Sequence, residues 1–301
     1  MMLRLKNTEV PKGIIDAVLD TDTYNEVDDQ FALAYMLKSK ERFDVKAVYA
    51  APFYNAYSQS PKDGMEKSYA EILNILNLAG EKTQVYKGSD IYLKDEKTPV
   101  VSDAALDLVE RAKNYSDEKP LYVVAIGAIT NVASAILLEP KIIDKIVVVW
   151  LGGHAHHYRH TMEFNMKQDI AAARVVLRSG VSFVQLPCRG VVDRFYLSRI
   201  EVEYYFKGKG ALADYLCDYT VKHISEEYGK KDWTKIIWDV VAVAYLLNDN
   251  DRFMLSRLIP AKIPSYENAY VDIENAPIIR YVYAIIDHDA ILEDLVKKIT
   301  E

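Results

Sequence analysis

The apolar residues of this chain form short, near-continuous runs that are separated by longer stretches with helical spacing. The runs, which predict β-strands, cover residues 14–19, 43–49, 84–86, 121–126, 146–151 and 182–186. The stretches between them, which predict α-helices, cover residues 30–40, 60–78, 104–112, 131–138 and 169–179. Because strands buried on both faces are apolar throughout, the alternation predicts an α/β fold with a mostly parallel central sheet and helices on both faces.

The pattern loosens beyond residue 192, where helices are predicted near residues 201–227 and 237–247. Short strands near residues 269–273 and 278–286 follow, and a C-terminal helix begins at Asp289. No linker, repeat or low-complexity segment interrupts the chain, so we expect one domain over residues 1–301. Right-handed crossovers would place the loops that follow the parallel strands at one edge of the sheet.

The composition narrows the class of protein. The 301 residues are 50% hydrophobic and carry a net charge of −7, which argues against nucleic acid or an anionic membrane surface as a partner. Two cysteines, Cys188 and Cys217, provide neither a disulfide framework nor a CxxC metal site. The N-terminal segment lacks the apolar region of a signal peptide, and no apolar run reaches membrane-spanning length. We therefore expect a cytoplasmic protein.

Four aspartates are crowded where the first strand ends and the first helix begins, in the sequence VLDTDTYNEVDDQFAL. They are Asp20, Asp22, Asp28 and Asp29. Ligands of open α/β sheets bind beyond the carboxyl ends of the strands, and a hard cation such as Ca²⁺ or Mg²⁺ would relieve the repulsion among these carboxylates. The alternative is structural, since acids stabilise the first turn of a helix and Asn25 could be its N-cap.

Polar residues at other predicted strand ends could converge on the same edge of the sheet. Asn55 follows the second strand, GAITN at residues 127–131 follows a later strand, and GGHAHHYRHTMEFN at residues 152–165 follows the most apolar one. Asp239 lies at the start of a predicted helix among apolar residues. Taken alone, this position predicts a helix-capping acid.

Four sequence blocks together resemble the inosine-uridine preferring nucleoside hydrolase family. They are the DxD motif with DDQFAL, then AIGAITNVASAILLEP, then VVWLGG with EFNMKQDIAAARVV, and finally WDVVAVAYLL, in the family's order across roughly residues 14–250. The resemblance implies an α/β fold whose mainly parallel sheet holds a Ca²⁺ at the strand ends. It also implies hydrolysis of the N-glycosidic bond of a small-molecule ribonucleoside, giving ribose and free base, by an enzyme that is commonly a homo-oligomer.

The resemblance assigns roles to individual acids and to one threonine. Asp22, Asp29 and Asp239 match the acidic Ca²⁺ ligands, and Thr130 matches the ligand that binds through its backbone carbonyl. Asp22 is also expected to be the general base for the attacking water, which the cation would orient and acidify. Asp20 matches an acid that supports the site.

Further residues match positions that bind the ribose: Asp28, Asn55, Glu163 and Asn165. Glu163 and Asn165 flank a phenylalanine, so an extended segment would direct both toward the same edge of the sugar. His157 is expected to contact the ligand from the histidine-rich loop. Breaking a ribosyl C–N bond passes through an oxocarbenium-like sugar, which nearby carboxylates and oriented hydroxyl contacts stabilise.

The chain departs from the family pattern beside these acids. The loop between Asp22 and Asp28 is two residues longer than in the well-known members, so Asn25 or Glu26 could intrude on the site. The histidine that precedes the late aspartate in many members, and is thought to protonate the leaving base, is replaced by Trp238. This tryptophan could stack on the base, or it could belong to the core.

The loop at residues 152–163 is shorter than usual and rich in histidine. Its histidines are His154, His156, His157 and His160. Their HxHHxxH spacing is not that of a standard zinc site, and no cysteine lies near. The loop is expected to form a lid over the base pocket, or alternatively to be solvated.

Two other functions remain open. The Trp238 substitution is compatible with a hydrolase or binding protein for another ribosylated small molecule on the same fold. The sequence DTDTY after a strand also resembles the first motif of haloacid-dehalogenase-like phosphatases, with Asp20 as nucleophile and Asp22 as acid. That family needs a later lysine and an acidic pair at a strand end, and the chain has no convincing late pair.

Overall fold

Eight strands form the central sheet within residues 7–301, which are the residues described by this computed structural model. The strands in chain order are β1 (Ile15–Thr21), β2 (Phe43–Ala50), β3 (Gln84–Lys87), β4 (Leu121–Ala125), β5 (Ile146–Leu151), β6 (Ser182–Leu186), β7 (Tyr196–Ser198), β8 (Thr234–Ile236), β9 (Met254–Pro260), β10 (Ile263–Pro264), β11 (Tyr270–Val271) and β12 (Ile278–Ile285). The helices are α1 (Asp28–Lys38), α2 (Pro61–Ala79), α3 (Asp103–Ala112), α4 (Thr130–Leu138), α5 (Phe164–Gln168), α6 (Ile170–Ser179), α7 (Arg199–Phe206), α8 (Ala211–Tyr228), α9 (Val240–Leu246) and α10 (His288–Thr300). Short 3₁₀ helices lie at Pro140–Asp144, Val192–Arg194 and Asp249–Asp251.

The strand order in the sheet is β3-β2-β1-β4-β5-β6-β12-β9. Neighbouring strands are parallel except at the last position, where β9 runs antiparallel to β12. The predicted α/β fold with a mostly parallel sheet is therefore confirmed. The pairing of β1 with its two neighbours continues one residue past the ends of β2 and β4, since the Ala51 amide donates to the Thr21 carbonyl and the Ile126 amide donates to the Asp20 carbonyl, each at 2.8 Å. The carboxyl ends of β1, β2 and β4 thus lie side by side.

Helices cover both faces of the sheet because alternate strand residues enter two apolar clusters. Leu19 of β1 and Val124 of β4 belong to one cluster, together with buried residues of α1, α2, α9 and α10. Val18 and Val123 belong to the other, together with buried residues of α3, α4 and α6. Burial on both faces explains why β4 and β5 read as continuous apolar runs in the sequence.

The last third of the chain differs from its prediction. The single helix predicted over residues 201–227 is two helices, α7 and α8, because Gly208 and Gly210 adopt positive φ angles of 73° and 110° between them. Strand β9 was not predicted, since it lies at the edge of the sheet and exposes residues such as Leu258. An edge strand of this kind has no continuous apolar run to identify it.

Cys188 and Cys217 are both free and buried, which agrees with the expectation that they form no disulfide framework. Across residues 7–301, no helix combines the length and the apolar character that a membrane crossing requires. The N-terminal segment in which no signal peptide was predicted begins with residues 1–6, which lie outside the described residues. The single domain over residues 1–301 stays a prediction.

Candidate active site

Aspartates from three parts of the chain converge at the carboxyl edge of the sheet. Asp22 follows β1, Asp28 and Asp29 begin α1, and Asp239 precedes α9, which packs against α1. Each of these side chains is at most 5% exposed. One carboxylate oxygen from each of Asp28, Asp29 and Asp239 lies within 4.8 Å of the other two. This spacing lets the three carboxylates bind one cation together.

Several oxygens of this cluster are buried and receive no hydrogen bond from residues 7–301. They are both oxygens of Asp22, Oδ1 of Asp28 and Oδ2 of Asp29. Two others are satisfied, because the Thr21 hydroxyl donates to Asp29 Oδ1 (2.6 Å) and the Trp238 backbone amide donates to Asp28 Oδ2 (2.8 Å). A buried carboxylate oxygen without a partner is costly, and hard cations prefer carboxylate oxygens as ligands. The donor set therefore fits a divalent cation.

Burial raises the pKa of every carboxyl group in the cluster. Burial, with a further contribution from Glu26, raises the pKa of Asp28 to about 8, and burial raises the pKa of Asp29 to about 6. The pKa of Asp22 and that of Asp239 are held well above the usual range, first by burial and then by the neighbouring aspartates. Asp22 thus lies within electrostatic reach of the other acids, and a bound cation would favour the ionised form of all four.

The loop after β4 packs against Asp22. A Cβ atom on Gly127 would lie 2.8 Å from Asp22 Oδ1, so glycine is the residue that allows this approach. The indole of Trp150 donates to the Gly127 carbonyl (3.1 Å) and holds the loop. Thr130 begins α4, and its hydroxyl donates to Asp169 Oδ2 (2.7 Å). The side chain of Thr130 is thus engaged by Asp169, and the contact of its backbone carbonyl with a cation stays a prediction.

Asp20 lies within β1 and is fully buried. Asn131 donates to its Oδ1 (2.7 Å), and the Ser89 amide in turn donates to Asn131 Oδ1 (2.8 Å). Burial raises the pKa of Asp20 to about 7. These hydrogen bonds connect β1 to the start of α4. Asp20 therefore lies where it can hold the elements around the site in place.

A cavity of about 390 Å³ lies beside the aspartate cluster. The predicted site residues that line it are Asp28, Glu163, Asn165, Trp238 and Asp239. Its volume falls in the range of small-molecule sites in proteins. The structure therefore brings most of the predicted sugar contacts to one concave surface next to the acids.

Asn55 does not line this cavity but a smaller one of about 130 Å³. Its Nδ2 donates to Asn25 Oδ1 (2.6 Å), and its Oδ1 accepts from the Tyr57 amide (2.8 Å). Asn25 belongs to the lengthened loop and lines both cavities. The loop thus places Asn25 where it engages the amide of Asn55, and the predicted ribose contact lies outside the larger cavity.

Glu163 and Asn165 line the cavity, but the extended segment predicted for them is wrong. Glu163 caps α5, since its carboxylate accepts from the backbone amides of Gly153 (2.8 Å), Asn165 (2.9 Å) and Met166 (2.9 Å). Asn165 lies in the first turn of α5, and its Nδ2 donates to the Ile126 carbonyl (2.8 Å) and the Leu151 carbonyl (3.0 Å). Its Oδ1 has no donor among residues 7–301 and can accept from a bound hydroxyl.

Lys235 lies behind the lining of the cavity and could not be predicted from the sequence. Its side chain is 8% exposed and forms an ion pair with Glu26, the other residue of the lengthened loop that lines the cavity. Asp28 lies close enough to raise the pKa of Lys235 further. The pair holds the loop in place and neutralises one of the carboxylates at the cavity.

The histidine-rich loop divides into buried and exposed residues. His157 is exposed, with its ring 5.0 Å from that of Tyr158, and its predicted contact with the ligand stays a prediction. His154 is 5% exposed and lines the cavity. His156 packs against the rings of Tyr270 (4.9 Å) and Tyr281 (4.6 Å). The loop thus covers one side of the cavity, as expected of a lid.

The partly buried His156 is expected to make the protein less stable in acid. Burial lowers its pKa to about 4, and the bond to Gln185 (3.1 Å) opposes this only in part. Unfolded histidine has a pKa of about 6.5, so the unfolded chain binds the proton first, and stability falls as the pH drops from about 6.5 toward 4. Urea unfolding at pH 7 and at pH 4 measures the effect. The free energy of unfolding should fall less between these pH values in His156→Gln than in the wild type, by up to about 3 kcal/mol.

The exposed His157 provides the matched control for this measurement. His157→Gln makes the same substitution at an exposed position of the same loop and is expected to leave the free energy of unfolding at pH 7 unchanged. Equal slopes for the wild type and His156→Gln would show that folding does not lower the pKa of His156.

The parallel sheet and its buried carboxylates define an α/β protein with a candidate cation site at the carboxyl edge. The model of the inosine-uridine preferring nucleoside hydrolase family matches residues 17–293, and the chain belongs to this family. The family match spans the aspartate cluster, the α5 residues and Asp239 alike.

Individual relatives share 30% of their residues or fewer with this chain. The chain is 30% identical over 133 residues to the pyrimidine-specific ribonucleoside hydrolase RihB of Escherichia coli O1:K1, a segment that is 42% of this chain and 41% of that protein. The chain thus spans less than half the length of this curated relative. A plant nucleoside hydrolase superposes with a TM-score of 0.76 at 18% identity, over 95% of this chain and 99% of that one. A purine-preferring ribonucleoside hydrolase from Gardnerella vaginalis superposes with a TM-score of 0.73 at 19% identity, over 95% and 98%.

Proposed function

We propose that the protein is a Ca²⁺-dependent N-ribosyl hydrolase that cleaves ribonucleosides into ribose and free base. The observation that carries the proposal is the cluster of buried, unpartnered carboxylates beside a cavity of about 390 Å³. Membership of the nucleoside hydrolase family supports it, as do relatives described as ribonucleoside hydrolases.

The ligand set would be Asp29 and Asp239, which belong to the group close enough to share one cation, together with Asp22, which is not part of that group, and the Thr130 carbonyl. This is an all-oxygen set of the kind that Ca²⁺ prefers. Asp28 lines the cavity and has one buried oxygen without a donor, so it can accept from a ribose hydroxyl. A bound Ca²⁺ would supply polarisation and a lowered pKa to a coordinated water. Each residue of the cluster then has a separate task in metal binding or in sugar binding.

Asp22 is the general base in this proposal because neither of its oxygens is engaged by a donor in residues 7–301. The oxygen of the attacking water bonds to C1′ while the C1′–N bond breaks, and Asp22 receives the proton of the water. The electron pair of the broken bond leaves with the base nitrogen, which takes up a proton from solvent. The sugar develops oxocarbenium character, which the nearby carboxylates stabilise. The ring of Trp238 lines the cavity and provides a flat apolar surface for the departing base.

Release of ribose from a panel of purine and pyrimidine nucleosides tests the proposal. We expect turnover with Ca²⁺, a loss of at least about 100-fold after the metal is chelated, and recovery when Ca²⁺ is restored. Binding of nucleosides without turnover would favour a ribosyl-binding protein instead. No ribose from any nucleoside, with Ca²⁺ bound, would reject the hydrolase.

The proposal includes a cytoplasmic homo-oligomer. Two free, buried thiols are usual in a reducing compartment. Tyr196, Ile200 and Tyr204 recur at a spacing of four residues and are 47%, 77% and 75% exposed, which is an apolar stripe typical of a subunit interface. Light scattering coupled to size exclusion would give the number of subunits.

A further inference from the structure

Four basic residues line the cavity, and two of them, His160 and Arg189, lie within electrostatic reach of a third, His154, which the acid Asp193 also reaches. The four are His154, His160, Lys167 and Arg189. In residues 7–301, neither Lys167 nor Arg189 has a carboxylate within 4 Å, and Lys167 packs only over the ring of Phe164 (5.7 Å). Unpaired basic groups at a cavity attract an anionic ligand for the same reason that unpaired carboxylates attract a cation.

His154 adds an independent observation. It is 5% exposed, and its Nδ1 is buried without a hydrogen-bond partner. Burial, together with His160 and Arg189, lowers its pKa to about 4. By contrast, the rings of His156, His223 and His288 are each held by a protein acceptor. A buried ring nitrogen that lines a cavity and has no partner there is placed to bond with a ligand.

The acids that share this cavity are already compensated or belong to the cation cluster. Glu26 is paired with Lys235, and the Glu163 carboxylate accepts three backbone amides. Asp28 and Asp239 belong to the group suited to a cation. The groups left without a counter-charge are therefore the basic ones, and an arginine can hold a phosphate through two parallel hydrogen bonds.

We propose that the substrate carries a phosphate ester on its sugar, so that the cavity accepts nucleoside 5′-monophosphates. The inference rests on the proposed N-ribosyl hydrolase function. If Asp28 and the residues that would hold the cation face the vicinal 2′- and 3′-hydroxyls, and C1′ carries the base, C5′ is the position left for the anionic group. Water adds to C1′ as the C1′–N bond breaks, giving ribose 5-phosphate and free base, and no bond to phosphorus changes.

The experiment compares kcat/KM for inosine and uridine with kcat/KM for their 5′-monophosphates, using the Ca²⁺-loaded protein. We expect the monophosphates to be preferred by at least about tenfold, which is 1.4 kcal/mol of added transition-state binding. Arg189→Ala should lower the monophosphate-to-nucleoside ratio by at least about tenfold. Arg178→Ala, which removes an exposed arginine outside the cavity, should leave the ratio unchanged. A ratio near one that Arg189→Ala does not alter would overturn the inference.

A binding measurement separates this inference from the proposed function. Calorimetry with ribose 5-phosphate and with ribose, in the presence of Ca²⁺, requires no turnover. Tighter binding of ribose 5-phosphate that is lost in Arg189→Ala would support the phosphate site even if no N-riboside is cleaved. Equal binding of the two sugars would reject the phosphate site and leave nucleoside hydrolysis intact.

Discussion

Asp239→Asn is expected to lower kcat/KM for ribonucleoside hydrolysis by about 10³-fold or more, and also to stabilise the metal-free protein. Both effects come from the negative charge of Asp239. A bound cation requires this charge. Without the cation, the charge is buried beside Asp22, Asp28 and Asp29. Removing it relieves repulsion in the metal-free state by about 1–2 kcal/mol.

Calorimetric melting with Ca²⁺ and with a chelator measures both effects. The wild type should gain stability from Ca²⁺, whereas Asp239→Asn should gain little and should melt above the wild type in the chelator. Asp44→Asn is the matched control, because Asp44 is an exposed acid at the amino end of β2, far along the strand from the site. Two results together would contradict the assignment of Asp239 as a ligand: Asp239→Asn melting below the wild type in the chelator, and Asp239→Asn gaining as much stability from Ca²⁺ as the wild type does.

The elements of the fold that are most readily predicted from the sequence are those whose residues are buried on every side. Strands β4 and β5 are buried on both faces and therefore appear as apolar runs. Because the loops that follow parallel strands share one edge of the sheet, the approach of Asp22, Asp28 and Asp29 to the loop after β4 could be predicted from the residues. Asp239 follows no strand of this sheet, and its place in the site was expected only from the family resemblance.

What could not be predicted depends on side-chain partners that carry no sequence signal. Nothing in the spacing of Asn25 and Asn55 shows that the two amides bond to each other and take Asn55 away from the larger cavity. The same holds for the pairing of Glu26 with Lys235, which are far apart in the chain. Likewise the spacing of the loop histidines does not show which of them are buried. In the folded loop His154 is buried and His157 is exposed.

Asn165→Asp is the second substitution with a large expected effect. The Nδ2 of Asn165 donates to the Ile126 and Leu151 carbonyls, which follow or end β4 and β5, while its Oδ1 remains available to a ribose hydroxyl. Aspartate has no donor, so its carboxylate would face two buried carbonyl oxygens. We expect a loss of about 2–5 kcal/mol in unfolding free energy and a fall in kcat/KM of at least about 100-fold.

The order of three variants distinguishes the two roles of Asn165. Asn165→Ala also loses both donated bonds, but it places no acceptor against the carbonyls, so urea unfolding should rank stability as wild type, then alanine, then aspartate. Asn77→Asp makes the same chemical change at an exposed position of α2 and should alter neither stability nor kcat/KM. If Asn165→Asp were as stable as the wild type, its amide would not be the group that joins the ends of β4 and β5. The sugar contact would then be the main role of this residue, and kcat/KM alone would fall.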